Sequence, residues 1–128
     1  MTKKIISTPN APAAVGPYSQ AVMYGNMLFC SGQIPINPAN QEVMKSLPVE
    51  EQASLVMKNI EAVLKAADCN FTNIVKTTIF LTDMNDFAKV NAVYEKYFTE
   101  APPARSTIQV AGLPKGVQVE IEVLAAKN

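Results

Sequence analysis

The chain has 128 residues, 48% apolar and 17% charged, which fits one compact domain and not the apolar-poor, charge-rich composition of disorder. Eleven basic and eleven acidic side chains cancel, so no net field draws in nucleic acid or an anionic membrane; the absence of histidine removes Ser-His-Asp and Cys-His nucleophilic systems and most zinc sites. The two cysteines, Cys30 and Cys69, are far apart and form no C-x-x-C pair, so they read as reduced thiols of a cytosolic protein and not as a metal knuckle or a dithiol redox site.

The N-terminus carries Lys3 and Lys4 but no apolar h-region, and no window approaches the roughly 20 apolar residues of a membrane span. A soluble, cytoplasmic protein is expected. The prolines of "STPNAPAAVGPYSQ" bias their neighbours toward extended backbone and predict an ordered but irregular arm. "AVMYGNMLFCSGQI" follows as two apolar runs around Gly25-Asn26, a pair suited to the positive-φ positions of a tight hairpin turn. "PINPANQE", a polar Pro/Asn cluster, predicts a loop.

Residues 48–67 place Ala53, Val56, Met57, Ile60, Val63, Leu64 and Ala67 at three- and four-residue steps, the stripe of an amphipathic helix. Pro48 suits its first turn, and Glu50 and Glu51 complement the positive end of the macrodipole. The β-branched run of residues 74–82 predicts a strand. A second helix over residues 84–98, capped by Asp83 or Asn85, carries Phe87, Val90, Tyr94, Tyr97 and Phe98 on one face, with Asn91 in the same stripe. Residues 105–111 predict another strand, "GLPKG" a turn, and "VQVEIEVLAA" a last strand with strict alternation.

The order ββαβαββ, without repeats, predicts one α+β domain over residues 1–128: a single layer of sheet with two helices on one face and a hairpin at each end. In the last strand Val117, Val119, Ile121 and Val123 face one way, and Gln118, Glu120, Glu122 and Leu124 the other. The second strand face is also partly apolar, so another copy of the chain is expected to cover it.

No Gly-rich phosphate loop is present, and proton transfer is left to carboxylates, tyrosines, lysines and the two thiols. Alternation puts Arg105, Thr107 and Gln109 on one face of their strand, and Glu120 and Glu122 on one face of theirs. Two readings of Arg105 stand side by side. It is a bidentate donor for a small-molecule carboxylate, with a nearby Glu holding a water, or it is the partner of Glu120 or Glu122 in an ordinary ion pair across a hairpin. Tyr18 either packs or lines a pocket. Gly32, in Ser31-Gly32-Gln33, marks a bulge or a close approach of backbone to a ligand, and Asn91 on an apolar stripe needs hydrogen-bond partners.

Taken together, "APAAVGPYSQAV", "FCSGQIPINP", "NIEAVLKAA", "IVKTTIFLTDMNDFAKVNAVYEKYF" and "PPARSTIQVAGLPKGVQVEIEVLA" resemble, in order and over nearly the whole chain, the RidA/YjgF family, also called the reactive intermediate deaminase or liver perchloric-acid-soluble protein (L-PSP) family. The resemblance implies a chorismate-mutase-like α+β fold with a mixed sheet, assembled as a homotrimer with clefts at the subunit interfaces. It implies a 2-iminobutanoate/2-iminopropanoate deaminase that needs neither cofactor nor metal. Such an enzyme hydrolyses enamine/imine products of pyridoxal-phosphate-dependent serine or threonine dehydratases to 2-keto acids and ammonia.

By the same resemblance Arg105 grips the substrate carboxylate with the backbone N–H of Thr107, Glu120 positions the attacking water, and Tyr18, the Ser31-Gly32 backbone and Asn91 line the cleft. Thr107 stands where many family members carry cysteine, which puts any role for that thiol in doubt here. Two further activities have been ascribed to the family: RNA cleavage with inhibition of translation, and binding of small carboxylic acids without turnover. Zero net charge, no tryptophan and no basic cluster beyond Lys3-Lys4 count against the first; the second would use the same arginine.

Overall fold

A computed structural model describes residues 2–128. Its longest helix, α1 (Val49–Ala66), follows Pro48, whose φ of −53° and ψ of 149° bring the chain in extended, and carries Glu50 and Glu51 in its first turn and Lys65 in its last. Every apolar position of the expected stripe, Ala53 through Ala67, is buried. Two amides share that buried face and are satisfied. Gln52 Nε2 donates to the Lys45 and Leu47 carbonyls at 3.1 and 2.9 Å and to Gln118 Oε1 at 2.9 Å, while Gln52 Oε1 accepts from the Gln118 backbone N–H at 3.0 Å. Asn59 Nδ2 donates to the Ile36 carbonyl at 2.9 Å. These bonds tie α1 to the segment before it and to the approach of the last strand.

The strands in chain order are β1 (Lys3–Ile6), β2 (Ala21–Tyr24), β3 (Met27–Cys30), β4 (Ile36–Asn37), β5 (Glu42–Val43), β6 (Ile74–Leu81), β7 (Ala104–Gln109) and β8 (Val119–Ala126). Six form one mixed sheet in the order β1-β2-β3-β8-β6-β7, and β4 with β5 makes a separate ladder inside the segment expected as a loop. The β2–β3 hairpin turns at Gly25-Asn26 as expected. Only Gly25 has positive φ, at 63°, so the turn has its glycine at the first central position.

Three further expectations are corrected. The ladder begins earlier than expected, because β1 pairs antiparallel along β2 and blunts that edge of the sheet with the exposed Lys3 and Lys4. The second helix is short. Its α-helical part, α2 (Phe87–Tyr94), lies between two 3₁₀ turns, and the Asp83 carboxylate accepts from the Asn85 N–H at 2.9 Å to cap the first of these. The C-terminal strands do not form a hairpin. β7 runs parallel to β6, and β8 lies antiparallel between β3 and β6. The reason lies in α2, which makes β6-α2-β7 a crossover that returns the chain in the direction of the strand it left.

With β6 between them, β7 and β8 cannot share a cross-strand ion pair, so Arg105 does not pair with Glu120 or Glu122. Among the described residues the one ion pair is Lys127 Nζ with Asp68 Oδ2 at 3.6 Å.

Thr77, Ile79 and Leu81 of β6 and Val119, Ile121, Val123 and Ala125 of β8 are buried on the side of the helices. Val75 falls out of step at a bulge, where Ile74 pairs with Ala125 and Lys76 already with Leu124. The other face carries Glu120, Glu122, Leu124 and Phe80 and remains open: Ile5, Tyr24, Phe29 and Ile108 are 52%, 50%, 49% and 43% exposed there. Among the described residues, no helix is long and apolar enough to cross a membrane.

Candidate active site

The prolines that precede Arg105 fix the entry to the edge strand. Ala101 takes a φ of 44°, and Pro102 and Pro103 lead straight into β7, which is exposed along most of its length. Parallel register sets Arg105 beside Thr77 and Thr107 beside Ile79, both buried beneath the helices, so Arg105 and Thr107 lie on the helix side of the sheet. There the Arg105 Nη1 donates to Asn91 Oδ1 at 2.6 Å, and the guanidinium carbon lies 5.3 Å from the ring centre of Phe87 and 5.1 Å from that of Tyr94. An open groove of about 400 Å³ runs past Arg105, Asn91, Tyr94, Glu95, Phe98 and the two prolines, with no carboxylate among the described residues in ion-pair contact with the arginine. A guanidinium held by one neutral amide and two aromatic faces keeps its charge and most of its donors for something else.

A second cluster forms on the opposite face. Glu120 pairs with Phe80, on the open side of the sheet, and lines a cavity of about 560 Å³ with Tyr18, Gly32, Ile34, Val15 and Pro114. Gly32 lets the Glu120 side chain lie close against the backbone. A Cβ at that position would run into the Glu120 carboxylate oxygen Oε2, with the carboxyl carbon at 2.9 Å. The approach arises from a bulge. Phe29 pairs with Leu124 but Gln33 with Ile121, so four steps on one strand span three on the other. Burial, and then the neighbouring Glu122, raise the pKa of Glu120 above the ordinary carboxylate value.

The arm that carries Tyr18 is held by a buried amide. Gln20 Nε2 donates to the Thr8 and Pro12 carbonyls at 3.0 and 2.8 Å, and its Oε1 accepts from the Thr8 N–H at 2.7 Å. Ser31 has both polar groups engaged in the same fastening: its hydroxyl donates to the Ser19 carbonyl at 2.6 Å and its N–H to the Gln20 carbonyl at 3.0 Å. Both cysteines are free thiols, and burial, helped by Cys69, pushes Cys30 up to about 12, far from a nucleophilic thiolate.

The residues singled out in the sequence thus gather in two places. Arg105, Asn91 and Thr107 lie on the helix side of β7, while Tyr18, Gly32 and Glu120 lie at a cavity on the other side of the sheet. Phe87, Tyr94 and Gln20 read as packing residues or passed unnoticed. The signal for the first two was the step from Phe87 to Asn91 to Tyr94, which puts all three on one ridge of α2.

Comparison with known proteins extends along the whole chain. The family described as Endoribonuclease L-PSP matches residues 8–127. The 2-iminobutanoate/2-iminopropanoate deaminase of Bos taurus is 50% identical over 128 residues, covering 100% of this chain and 93% of that one. The crystal structure of the YjgF gene product from E. coli has a TM-score of 0.92 at 50% identity, over 98% of this chain and 99% of that one. That of E. coli TdcF with bound serine has a TM-score of 0.92 at 45% identity, over 98% and 99%. Sequence and backbone agree from end to end, and the chain belongs to the RidA/YjgF family.

Proposed function

We propose that this protein is a 2-iminobutanoate/2-iminopropanoate deaminase, converting the enamine and imine products of pyridoxal-phosphate-dependent dehydratases to 2-keto acids and ammonia. The observation that carries the reading is the Arg105 guanidinium, which forms no ion pair among the described residues, is fixed by Asn91 at 2.6 Å and opens to a groove that Glu95 also lines. The name borne by the Bos taurus relative supports it. An iminium carbon is already electrophilic, so the chemistry asks only for an anchored carboxylate and one oriented water. Arg105, with the Thr107 N–H, anchors the carboxylate. Glu120 orients the water that adds to the C=N carbon; the resulting carbinolamine expels ammonia from its protonated nitrogen as the C=O forms.

A cleft that uses both Arg105 and Glu120 requires two copies of the chain, since the two lie on opposite faces of one sheet. The open sheet face, with Ile5, Tyr24, Phe29 and Ile108 exposed, suits a homotrimer in which each copy covers its neighbour. These side chains are already about half covered, so covering the rest of each is worth about half of the roughly 1.5–3 kcal/mol of a full burial. A monomer mass in sedimentation at micromolar concentration would rule this assembly out.

The test is to generate 2-iminopropanoate and 2-iminobutanoate in situ with a dehydratase and follow the semicarbazide-trappable imine. Wild type is expected to hasten its loss, and Arg105→Ala is not. Wild type without effect, while 2-ketobutanoate still binds, would instead make this a carboxylate-binding module, the reading favoured by the serine held in TdcF. The ribonuclease activity in the family's description lacks support in a chain with zero net charge and no histidine.

A further inference from the structure

We propose that Tyr94, together with Phe87, is the positioning residue of the carboxylate anchor, a cradle that fixes the Arg105 guanidinium before substrate arrives; this deepens, and rests on, the reading of Arg105 given above. Phe87, Asn91 and Tyr94 sit at i, i+4 and i+7 on α2 and meet the arginine together: a ring at 5.3 Å, an amide oxygen at 2.6 Å and a ring at 5.1 Å. An exposed arginine on an edge strand otherwise samples many rotamers, and ordering it at the moment of binding weakens the complex. Two aromatic faces and one acceptor remove that cost while leaving the outward donors free for a carboxylate.

Tyr94 is itself immobilised. It is 5% exposed, its hydroxyl shares a 2.7 Å hydrogen bond with the buried Thr77 Oγ1, and its ring packs at 4.7 Å on Phe98. Thr77 is the register partner of Arg105 on the neighbouring strand, so one strand pair carries both the arginine and the fastening of its cradle. Burial raises the pKa of Tyr94, against the opposing pull of its Thr77 hydrogen bond and of Arg105. Tyr94 thus turns a ring face to the arginine beside the groove while its hydroxyl is held in the core.

The test compares Tyr94→Leu, Tyr94→Phe and Phe87→Leu with wild type in imine hydrolysis, in binding of 2-ketobutanoate, and in the NMR resonances of the Arg105 guanidinium N–H groups. Anchoring acts on ground and transition states alike, so Tyr94→Leu is expected to raise KM and the 2-ketobutanoate Kd by about five- to tenfold and to leave kcat within about twofold. Tyr94→Phe keeps the ring and should raise KM by less than about threefold. Phe87→Leu, at a half-buried site with less at stake for folding, should raise KM as Tyr94→Leu does. Each leucine variant removes one of the two rings, so the ring-current displacement of the Arg105 resonances is reduced in both and abolished in neither.

Folded Tyr94→Leu or Phe87→Leu with wild-type KM, Kd and Arg105 resonances would overturn the proposal, as would Tyr94→Phe losing as much as Tyr94→Leu. Should Tyr94→Leu fail to fold, Phe87→Leu decides on the same readouts. Wild type that neither turns over imine nor binds 2-ketobutanoate overturns the functional reading and this inference with it, and that failure is visible before any variant is made.

Discussion

Arg105 and Glu120 lie in one sheet but on opposite faces: Arg105 pairs in register with the buried Thr77 and Glu120 with the outward Phe80, and Thr77 and Phe80 are three residues apart on the same strand. A side chain cannot pass through a sheet, so no single copy of the chain brings the two together.

Complementation between two inactive variants follows. Arg105→Ala and Glu120→Ala are each expected to lack activity, but when they are unfolded, mixed in equal amounts and refolded, some interfaces pair an intact Arg105 with an intact Glu120. Random assembly gives about a quarter of wild-type activity at full mixing. The measurement is imine turnover before and after mixing. No recovery, with mixed oligomers shown by mass, would place the two residues in separate functions.

Gly32→Ala should damage the site without touching the anchor. The added methyl meets the end of the Glu120 side chain, with the carboxyl carbon at 2.9 Å and Cγ at 3.1 Å, so the carboxylate has to swing away. If Glu120 orients the water as proposed, displacing its carboxylate by about 1 Å is expected to lower kcat by roughly a hundredfold with KM little changed. A Gly32→Ala enzyme with wild-type kcat would mean that the position of the Glu120 carboxylate is immaterial.

The pH profile tests the electrostatics of the same residue. Burial, and then Glu122, raise the Glu120 pKa above its ordinary 4.5, so an acid limb that requires ionised Glu120 lies above that value. Glu122→Gln removes the like charge and moves the limb to lower pH. Stability runs the other way. A carboxyl that holds its proton more tightly folded than unfolded favours the folded state at low pH, and this contribution is lost as pH rises from about 4.5 through the raised value. Glu120→Gln is therefore expected to raise Tm at neutral pH while abolishing turnover. A Glu120→Gln enzyme that keeps turnover with the same acid limb would remove Glu120 from the reaction.

Local signals carried far in this sequence, and long-range pairing did not. The α1 stripe and the Gly25 turn rest on contacts within a few residues, which periodicity and turn chemistry report directly. The place of β8 between β3 and β6 depends on pairings between residues such as Phe29 and Leu124, far apart in the chain, and alternation records only which residues share a face. Hence Arg105 and Glu120 each stood on a definite strand face, while the relation between those faces stayed open. Gln20 and Gln52 were missed for a related reason. A buried amide among polar neighbours looks like any surface glutamine until its acceptors, such as the Pro12 carbonyl or Gln118, fold against it.

Gln52 therefore makes the strictest test of the fold beneath the site. It is fully buried, and its amide nitrogen serves the Lys45 and Leu47 carbonyls and Gln118 Oε1 while its oxygen takes the Gln118 N–H, two residues before Glu120. Gln52→Ala removes four part-buried hydrogen bonds and leaves a cavity at a fully buried position, and should lower stability by about 2–4 kcal/mol. Gln52→Glu keeps the shape but replaces the donor with a carboxylate facing three oxygens. The folded state then favours the protonated acid and raises its pKa, so the deficit should shrink as pH falls toward the ordinary carboxylate range and grow above it. Urea unfolding of both variants at acid and neutral pH reads this out. A Gln52→Glu protein equally stable at both would mean that water or a rearranged loop satisfies the site in place of the amide.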